Sequence, residues 1–480
     1  MASLKFILDG NIKEIDFRKE QINPSTTVLN YLRSLPNHKG VKEGCAEGDC
    51  GACTVVIANE ENGKLHYRAI DSCLLFLPMI HGKQLITVEN LAQNINGEKV
   101  LHPVQQLMVE TNGSQCGYCT PGIVMSLFAL YKNNNDPSIE IINDALTGNL
   151  CRCTGYKPII EAAQKACVNN GLDHFTENEN SIISLISKIK KDKNTLTFKS
   201  KKQTYYKPFS LNEALRLRKE NPNAIIINGS TDVALRQTKK NELFVEIIDL
   251  SDVNELKSFH EDENNFYFGA GLSMEQVRKY SENNFPALQN ILNVFGSLQI
   301  RNIATIGGNV GSASPIGDSL PVLFAYKTNV KLKSETTERT LPIEEFIKGY
   351  RQTDIQENEL ITEIIIPHFE KEQIIKSYKV SKRKNLDIST VSGTFNLKLE
   401  NNVISTIILA FGGMSAFTKR ANKTENFLSG KKWNRENIES AMALLEEEFT
   451  PLSDARAEAA YRKTAAKNLL MKFYNDTKLN

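Results

Sequence analysis

Beyond Cys167 the chain has no cysteine, although it has nine up to and including that residue. It has one tryptophan, seven histidines and a formal net charge of only +2 over 480 residues. Each shortage excludes something. Near-balanced charge removes the electrostatic reason to expect a nucleic acid or an anionic membrane as partner. No apolar run approaches the ~20 residues that span a bilayer. The histidines are scattered, without metal-ligand or triad spacing, so acid–base catalysis has no visible seat. Internal repeats and low-complexity tracts are also missing. The opening "MASLKFILDGNIKEIDF" lacks the basic and apolar regions of an export signal, and reads as a mature start in a reducing, cytoplasmic compartment. There, clustered cysteines favour metal over disulfide.

The length calls for three or four domains of ~100–200 residues each. Short strands are expected at Leu4–Leu8 and at 13–17, joined by Asp9-Gly10-Asn11, because Asp-Gly tolerates positive φ in a hairpin. "PVQQLMVET", "PGIVMSLFALYK" and "PIIEAAQKACV" carry helical periodicity. A Lys/Asn/Glu-rich stretch over 171–202 reads as a linker, with one apolar repeat, "SIISLISKI", able to form a helix. From about Tyr205 strands and helices alternate, and the pattern restarts after "ELITEIIIP".

The cysteines fall into two sets. Cys45, Cys50 and Cys53 follow C-x4-C-x2-C, with Cys73 further on, which is the plant-type ferredoxin arrangement for a two-iron cluster. Gly44, Gly48 and Gly51 allow the loop to turn sharply and approach a cluster closely. The competing reading is a four-cysteine zinc site, which usually shows paired C-x2-C knuckles. The second set is "CGYCTPG" (Cys116, Cys119) and "CRCTG" (Cys151, Cys153); taken alone it suits zinc or a redox disulfide as well as a cluster. Thr120 is expected as an N-cap with Pro121 opening its helix, and Thr154 similarly but less completely. Cysteines so placed would meet the positive end of a helix dipole. Cys167 has no partner spacing and reads as a buried apolar thiol.

In the remaining part "IINGSTDV" (Ile226, Ile227, Asn228, Gly229, Ser230, Thr231, Asp232, Val233) ends a strand in small, polar residues. Their backbone N–H groups can approach a pyrophosphate, although G-x-G-x-x-G is not met. A second Gly-rich turn, "TIGGN" (Thr305, Ile306, Gly307, Gly308, Asn309), suits the same phosphates.

With "GSQCGYCTPGIVMS", "LTGNLCRCTGYKPIIEA", "QIRNIATIGGNVGSASPIGDSLPVL" and "GYRQTDIQENELITEIIIP" in this order, the chain resembles the molybdenum hydroxylases. Joining iron–sulfur and FAD modules without a molybdenum module resembles the small subunit of the bacterial xanthine dehydrogenase group. The resemblance implies an α+β multidomain fold: a β-grasp 2Fe-2S ferredoxin domain (1–89), an α-helical bundle 2Fe-2S domain (90–170), an α+β FAD-binding domain of the vanillyl-alcohol-oxidase type (203–370), and an α+β C-terminal flavoprotein domain (371–480). It implies that the eight cysteines bind two 2Fe-2S clusters and that both glycine loops bind FAD. Asp318, Ile361 and Lys379 match further FAD contacts, and Phe295 matches the aromatic residue that packs on the isoalloxazine ring. Asn385 and Leu386 stand where the family often has an acidic residue before Asp387, which leaves the nicotinamide site undefined; Arg383 and Lys384 read as a solvated basic face. No residue here is expected to be catalytic in its own right. The implied partner is a large molybdenum–pterin subunit, in a heterotetramer of two small and two large chains, with NAD as acceptor. An aldehyde or N-heterocycle hydroxylase subunit, or a stand-alone flavin–iron–sulfur reductase, would use the same residues.

Overall fold

A computed structural model describes residues 2–168, 171–191 and 194–478. The first turn shows how local chemistry sets register. Asp9 and Gly10 both adopt positive φ (53° and 72°), so two residues suffice to reverse the chain. The second strand therefore begins earlier than expected, at Asn11, and runs Asn11–Ile15 antiparallel to Leu4–Leu8.

These strands belong to a five-stranded sheet with Gln84–Ile86, Thr54–Glu61 and Lys64–Asp71. Leu4–Leu8 pairs in parallel with Gln84–Ile86, and the other pairings are antiparallel. With the helix Val28–Ser34 this is the β-grasp arrangement. Strand alternation splits the sheet between two cores. Ile7, Val56 and Ala58 pack with the helices Pro103–Glu110, Thr120–Asn133, Ile139–Leu146 and Lys157–Cys167. Leu4, Phe6, Leu8, Val55 and Ile57 pack on the other side, in a core that also takes in Phe198, Tyr205, Ile227 and Ile247. The last four lie in a four-stranded sheet of Ile225–Ile227, Glu246–Asp249, Thr204–Lys207 and Leu196–Lys199.

The stretch read as a linker carries the helix Glu179–Ile189, which buries Ile182 and Ile186. Asp173 ties its start down: the carboxylate meets His102 Nε2 at 3.2 Å and Lys132 Nζ at 2.8 Å, all buried.

The chain divides into two compact units. The first is Met1–Leu217, Asn223–Val253 and Ser297–Ala304; the second is Arg218–Pro222, Asn254–Gly296 and Thr305–Asn480. The second holds a five-stranded antiparallel sheet, ordered Phe259–Glu261, Asn265–Gly269, Leu360–Pro367, Asn329–Lys333 and Glu338–Pro342. A four-stranded antiparallel sheet built on Ile374–Val380, Val391–Glu400 and Val403–Gly412 is covered by the helices Arg435–Glu448 and Ala459–Thr477. Trp433 closes that core, its indole N–H donating to Thr477 Oγ1 at 3.1 Å. Among the described residues no helix is long and apolar enough to cross a membrane.

Candidate metal and flavin sites

The first cysteine loop wraps its own thiols. Backbone N–H groups of Glu47, Asp49 and Cys50 point at Cys45 Sγ from 3.3–3.4 Å. With the Cys50 thiol as the leading contributor, they hold Cys45 down to about 5, while Cys50 is pushed up. Cys53 and Cys73 are buried, their sulfurs 3.4 Å apart. Beside them Asp71 is fully buried, and its Oδ2 has no hydrogen-bond partner. Gly51 has a φ of +67°, and a Cβ there would lie 2.2 Å from Gly148 O. Gly44 serves by proximity, since a Cβ would lie 2.8 Å from Cys50 Sγ.

The second set also closes in pairs. Burial and then the neighbouring Cys151 push the Cys119 thiol up, and the neighbouring Cys116 pushes the Cys153 thiol up. Cys116 and Cys153 are exposed; Cys119 and Cys151 are half-buried. The expected caps are corrected here. Cys119, in αR conformation, is itself the N-cap of Thr120–Asn133, with Pro121 in the first turn. Thr120 Oγ1 instead meets Ser114 Oγ at 2.7 Å. The helix Lys157–Cys167 is preceded by Tyr156 at φ 67°, so Thr154 lies too early to cap it. Thr154 contacts Cys151 Sγ at 3.1 Å, and Tyr156 Oη accepts the Cys151 N–H at 2.7 Å.

No cysteine of this chain is in a disulfide. Among the described residues no three His, Cys, Asp or Glu side chains converge as the shell of one ion. Two thiol pairs per loop are the donor set that a binuclear cluster requires, with two cysteines on each iron. Cys167, buried in the helical core with its thiol pushed up to about 11 by burial, takes no part.

The two loops touch directly. Leu150 N donates to Cys50 O at 3.1 Å, and a Cβ on Gly122 would lie 2.1 Å from Gly51 O.

In the first unit the strand Ile225–Ile227 leads into Asn228–Asp232 and the helix Val233–Lys240. Gly229 allows a close backbone approach: a Cβ would lie 1.7 Å from Ile303 O. Ser230, at φ 59°, is buried and its hydroxyl donates to Leu74 O, one residue past Cys73. Lys239 Nζ donates to Cys45 O at 2.8 Å.

In the second unit Thr305 caps the helix Ile306–Ser312 by accepting the Gly308 N–H at 3.1 Å. The N–H groups of Ile306 and Gly307 go to Leu272 O and Ala270 O at 3.1 and 2.9 Å. Those three N–H groups already have protein acceptors, so this turn differs from the open phosphate cradle expected from its glycines. Asn309 Oδ1 accepts from Ser319 Oγ at 2.6 Å. Ile361 packs close to Gly311. Asp318 is buried between Lys379 Nζ at 2.8 Å and Ser389 Oγ at 2.5 Å. Lys379 also donates to Val294 O at 2.9 Å, which brings Asp318 and Lys379 to the backbone next to half-buried Phe295. Arg383, read as part of a solvated face, is paired with Asp387 at 2.5 Å.

Sequence reasoning assigned no role to Asn149, Ser126 or Gln299, which the first unit brings together around the two loops. Nor did it separate Ser297–Ala304 from the rest of its motif; that segment belongs with the first unit.

Two thiol-lined loops joined to a flavin-type fold define an iron–sulfur flavoprotein. Family models match as the [2Fe-2S] binding domain over 87–164, the FAD binding domain in molybdopterin dehydrogenase over 197–369, and the CO dehydrogenase flavoprotein C-terminal domain over 376–477. The chain thus carries the [2Fe-2S] binding, FAD binding and flavoprotein C-terminal domains that these models describe. It is 33% identical to a xanthine dehydrogenase of Emericella nidulans, over 99% of this chain and 38% of that protein. It is 31% identical to the xanthine dehydrogenase/oxidase of Mus musculus, over 95% and 38% respectively. The chain thus spans 38% of the length of these relatives. In fold it is similar to a carbon monoxide dehydrogenase chain of Hydrogenophaga pseudoflava (TM-score 0.54, 22% identity, 56% of this chain and 94% of that one). It is also similar in fold to a quinoline 2-oxidoreductase chain of Pseudomonas putida 86 (TM-score 0.52, 22% identity, 57% and 95%).

Proposed function

We propose that this chain is the electron-transfer subunit of a xanthine dehydrogenase, carrying electrons from a molybdenum–pterin partner to NAD. On this reading the partner oxidises hypoxanthine and xanthine to urate, in a heterotetramer of two small and two large subunits. The observation that carries it is the hydrogen bond from Leu150 N to Cys50 O, which joins the two cysteine loops without an intervening side chain. Names of relatives matched along nearly the whole chain support the substrate assignment.

When bound, the clusters would handle electrons singly, and FAD would gather them in pairs for NAD. The chain's residues supply the setting. Cys45, Cys50, Cys53 and Cys73 would hold one cluster, with Cys53 and Cys73 sealed from water. Cys116, Cys119, Cys151 and Cys153 would hold the other, with two thiols facing outward to receive electrons. Ligation needs thiolates, so the thiol pairs release their protons as metal enters. Ile226, Ile227, Asn228, Gly229, Ser230, Thr231, Asp232 and Val233 would hold FAD phosphates, and the Ser230–Leu74 bond keeps that loop beside the first cluster. Thr305, Ile306, Gly307, Gly308, Asn309 and Ile361 of the second unit are FAD contacts by resemblance alone, since the N–H groups of Ile306, Gly307 and Gly308 already have protein acceptors. The Asp318–Lys379 pair would fix the cofactor's polar groups while steadying the approach to Phe295.

The test is capture of the native complex by a tag on this chain, followed by metal analysis and assay of xanthine-dependent NAD reduction. Molybdenum in the complex together with that activity is the expected result. Molybdenum with activity only on aldehydes or N-heterocycles would overturn the substrate. NADH oxidation in a complex without molybdenum would overturn the partner.

A further inference from the structure

The buried hydrogen bonds around Asn149 belong to neither ligand set. Asn149 is 2% exposed and Gln299 0%. Asn149 Oδ1 accepts from Ser126 Oγ at 2.6 Å and from Gln299 Nε2 at 3.0 Å. Its Nδ2 donates to Gly51 O and to Thr54 Oγ1, both at 3.1 Å. Gln299 Nε2 also reaches Ser126 Oγ at 2.8 Å and Ala145 O at 3.1 Å. Four pieces of chain therefore meet on two amides: the Cys50–Cys53 turn, the helix that starts beside Cys119, the run into Cys151, and the segment Ser297–Ala304. That segment is fixed independently as well. Buried Arg301 makes a two-pronged pair with Asp144 at 2.6 and 2.7 Å, and Asn302 Nδ2 donates to Ala69 O at 2.9 Å.

The bonds of this buried network are made except at Gln299 Oε1, which has no partner, and each bond made limits how its members can be arranged. Here the members are the backbones that carry ligands of both clusters. We propose that Gln299 and Asn149 are positioning residues that set the spacing and coupling of the two clusters. The proposal rests on the cluster reading above. The Gly51 carbonyl lies between Cys50 and Cys53, so the Asn149 amide determines where that turn sits. The same residue leads through Leu150 into Cys151. Gln299 holds the Asn149 amide in the orientation that serves both.

The test uses the full chain in its native complex, with iron content, EPR of the dithionite-reduced protein and a redox titration as readouts. Gln299→Met keeps the volume and removes the donor; Asn149→Asp keeps the shape and removes the donor to Gly51 O. Asn302→Ala, in the same segment but outside the network, is the control. We expect iron to be retained, the magnetic interaction between the two cluster signals to be lost or altered in Gln299→Met and Asn149→Asp, and both midpoints to shift in Asn149→Asp. Asn302→Ala, which loosens the same segment without touching either amide, should perturb the signals and midpoints less than either of those variants. Where Gln299→Met does not fold, Asn149→Asp decides. Iron-loaded variants with unchanged signals and midpoints would overturn the proposal, as would equal changes in Asn302→Ala. An unsubstituted protein without two iron–sulfur signals would instead overturn the reading beneath it.

Discussion

In the loop of Cys45, Cys50, Cys53 and Cys73, two thiols are buried and Gly51 is jammed against Gly148 O. In the loop of Cys116, Cys119, Cys151 and Cys153, two thiols are exposed, and a Cβ on Gly117 or Gly155 would meet nothing within 4 Å. Both offer four thiols in two pairs. The first is shaped by its surroundings, which exclude water and fix each backbone group. The second is shaped by its own turns and by the helix that Cys119 starts, and half of it faces outward. Equal ligand chemistry in unequal settings suits a relay with one outward and one inward station.

The contrast can be broken most severely at its glycines. Gly51→Val should cost about 3 kcal/mol or more, from a clash with backbone plus a disfavoured φ, and should strip iron from both loops. Gly117→Ala, strained only in φ, should cost about 1 kcal/mol and retain iron. Urea midpoints with iron analysis distinguish the two.

A second substitution asks whether the helical domain depends on its buried network rather than on its open loop. Asp173→Asn should destabilise by about 3 kcal/mol, because the Lys132 ammonium, its side chain 8% exposed, loses its charged partner and keeps only Thr176 Oγ1 at 2.6 Å. Burial works to raise the Asp173 carboxyl, but the His102 and Lys132 bonds hold it well below the usual range. A depressed carboxylate contributes stability that is present above its ordinary value of 3.8 and lost as pH falls through the folded value. Acid unfolding followed by circular dichroism should show that loss in the unsubstituted chain and a shallower one in Asp173→Asn.

How much of this was legible from sequence follows the range of each interaction. The Asp9-Gly10 turn and the cysteine spacings are local, and the structure gives both their physical sense. Thr120 failed as a cap because Cys119, a residue with no capping propensity, takes that position. The strand Leu196–Lys199 lay hidden in a Lys-rich stretch because its pairing partner, not its composition, makes it a strand. The Asn149–Gln299 contact spans 150 residues of sequence, and no periodicity signals it.

Alkylation of the metal-free chain sharpens the comparison further. Cys116 and Cys153 should react on the order of tenfold faster than buried Cys53 and Cys73, read by peptide mass spectrometry. The smallest effect belongs to Cys167→Ser, which should cost about 1 kcal/mol in the helical core and leave iron unchanged.

The most direct measurement is iron, acid-labile sulfide and FAD per chain, in the unsubstituted protein and in Cys53→Ser and Cys116→Ser. The account predicts about four irons per FAD, with each substitution removing a different one of two EPR signals. Zinc in place of iron, or substitutions that leave both signals intact, would contradict it.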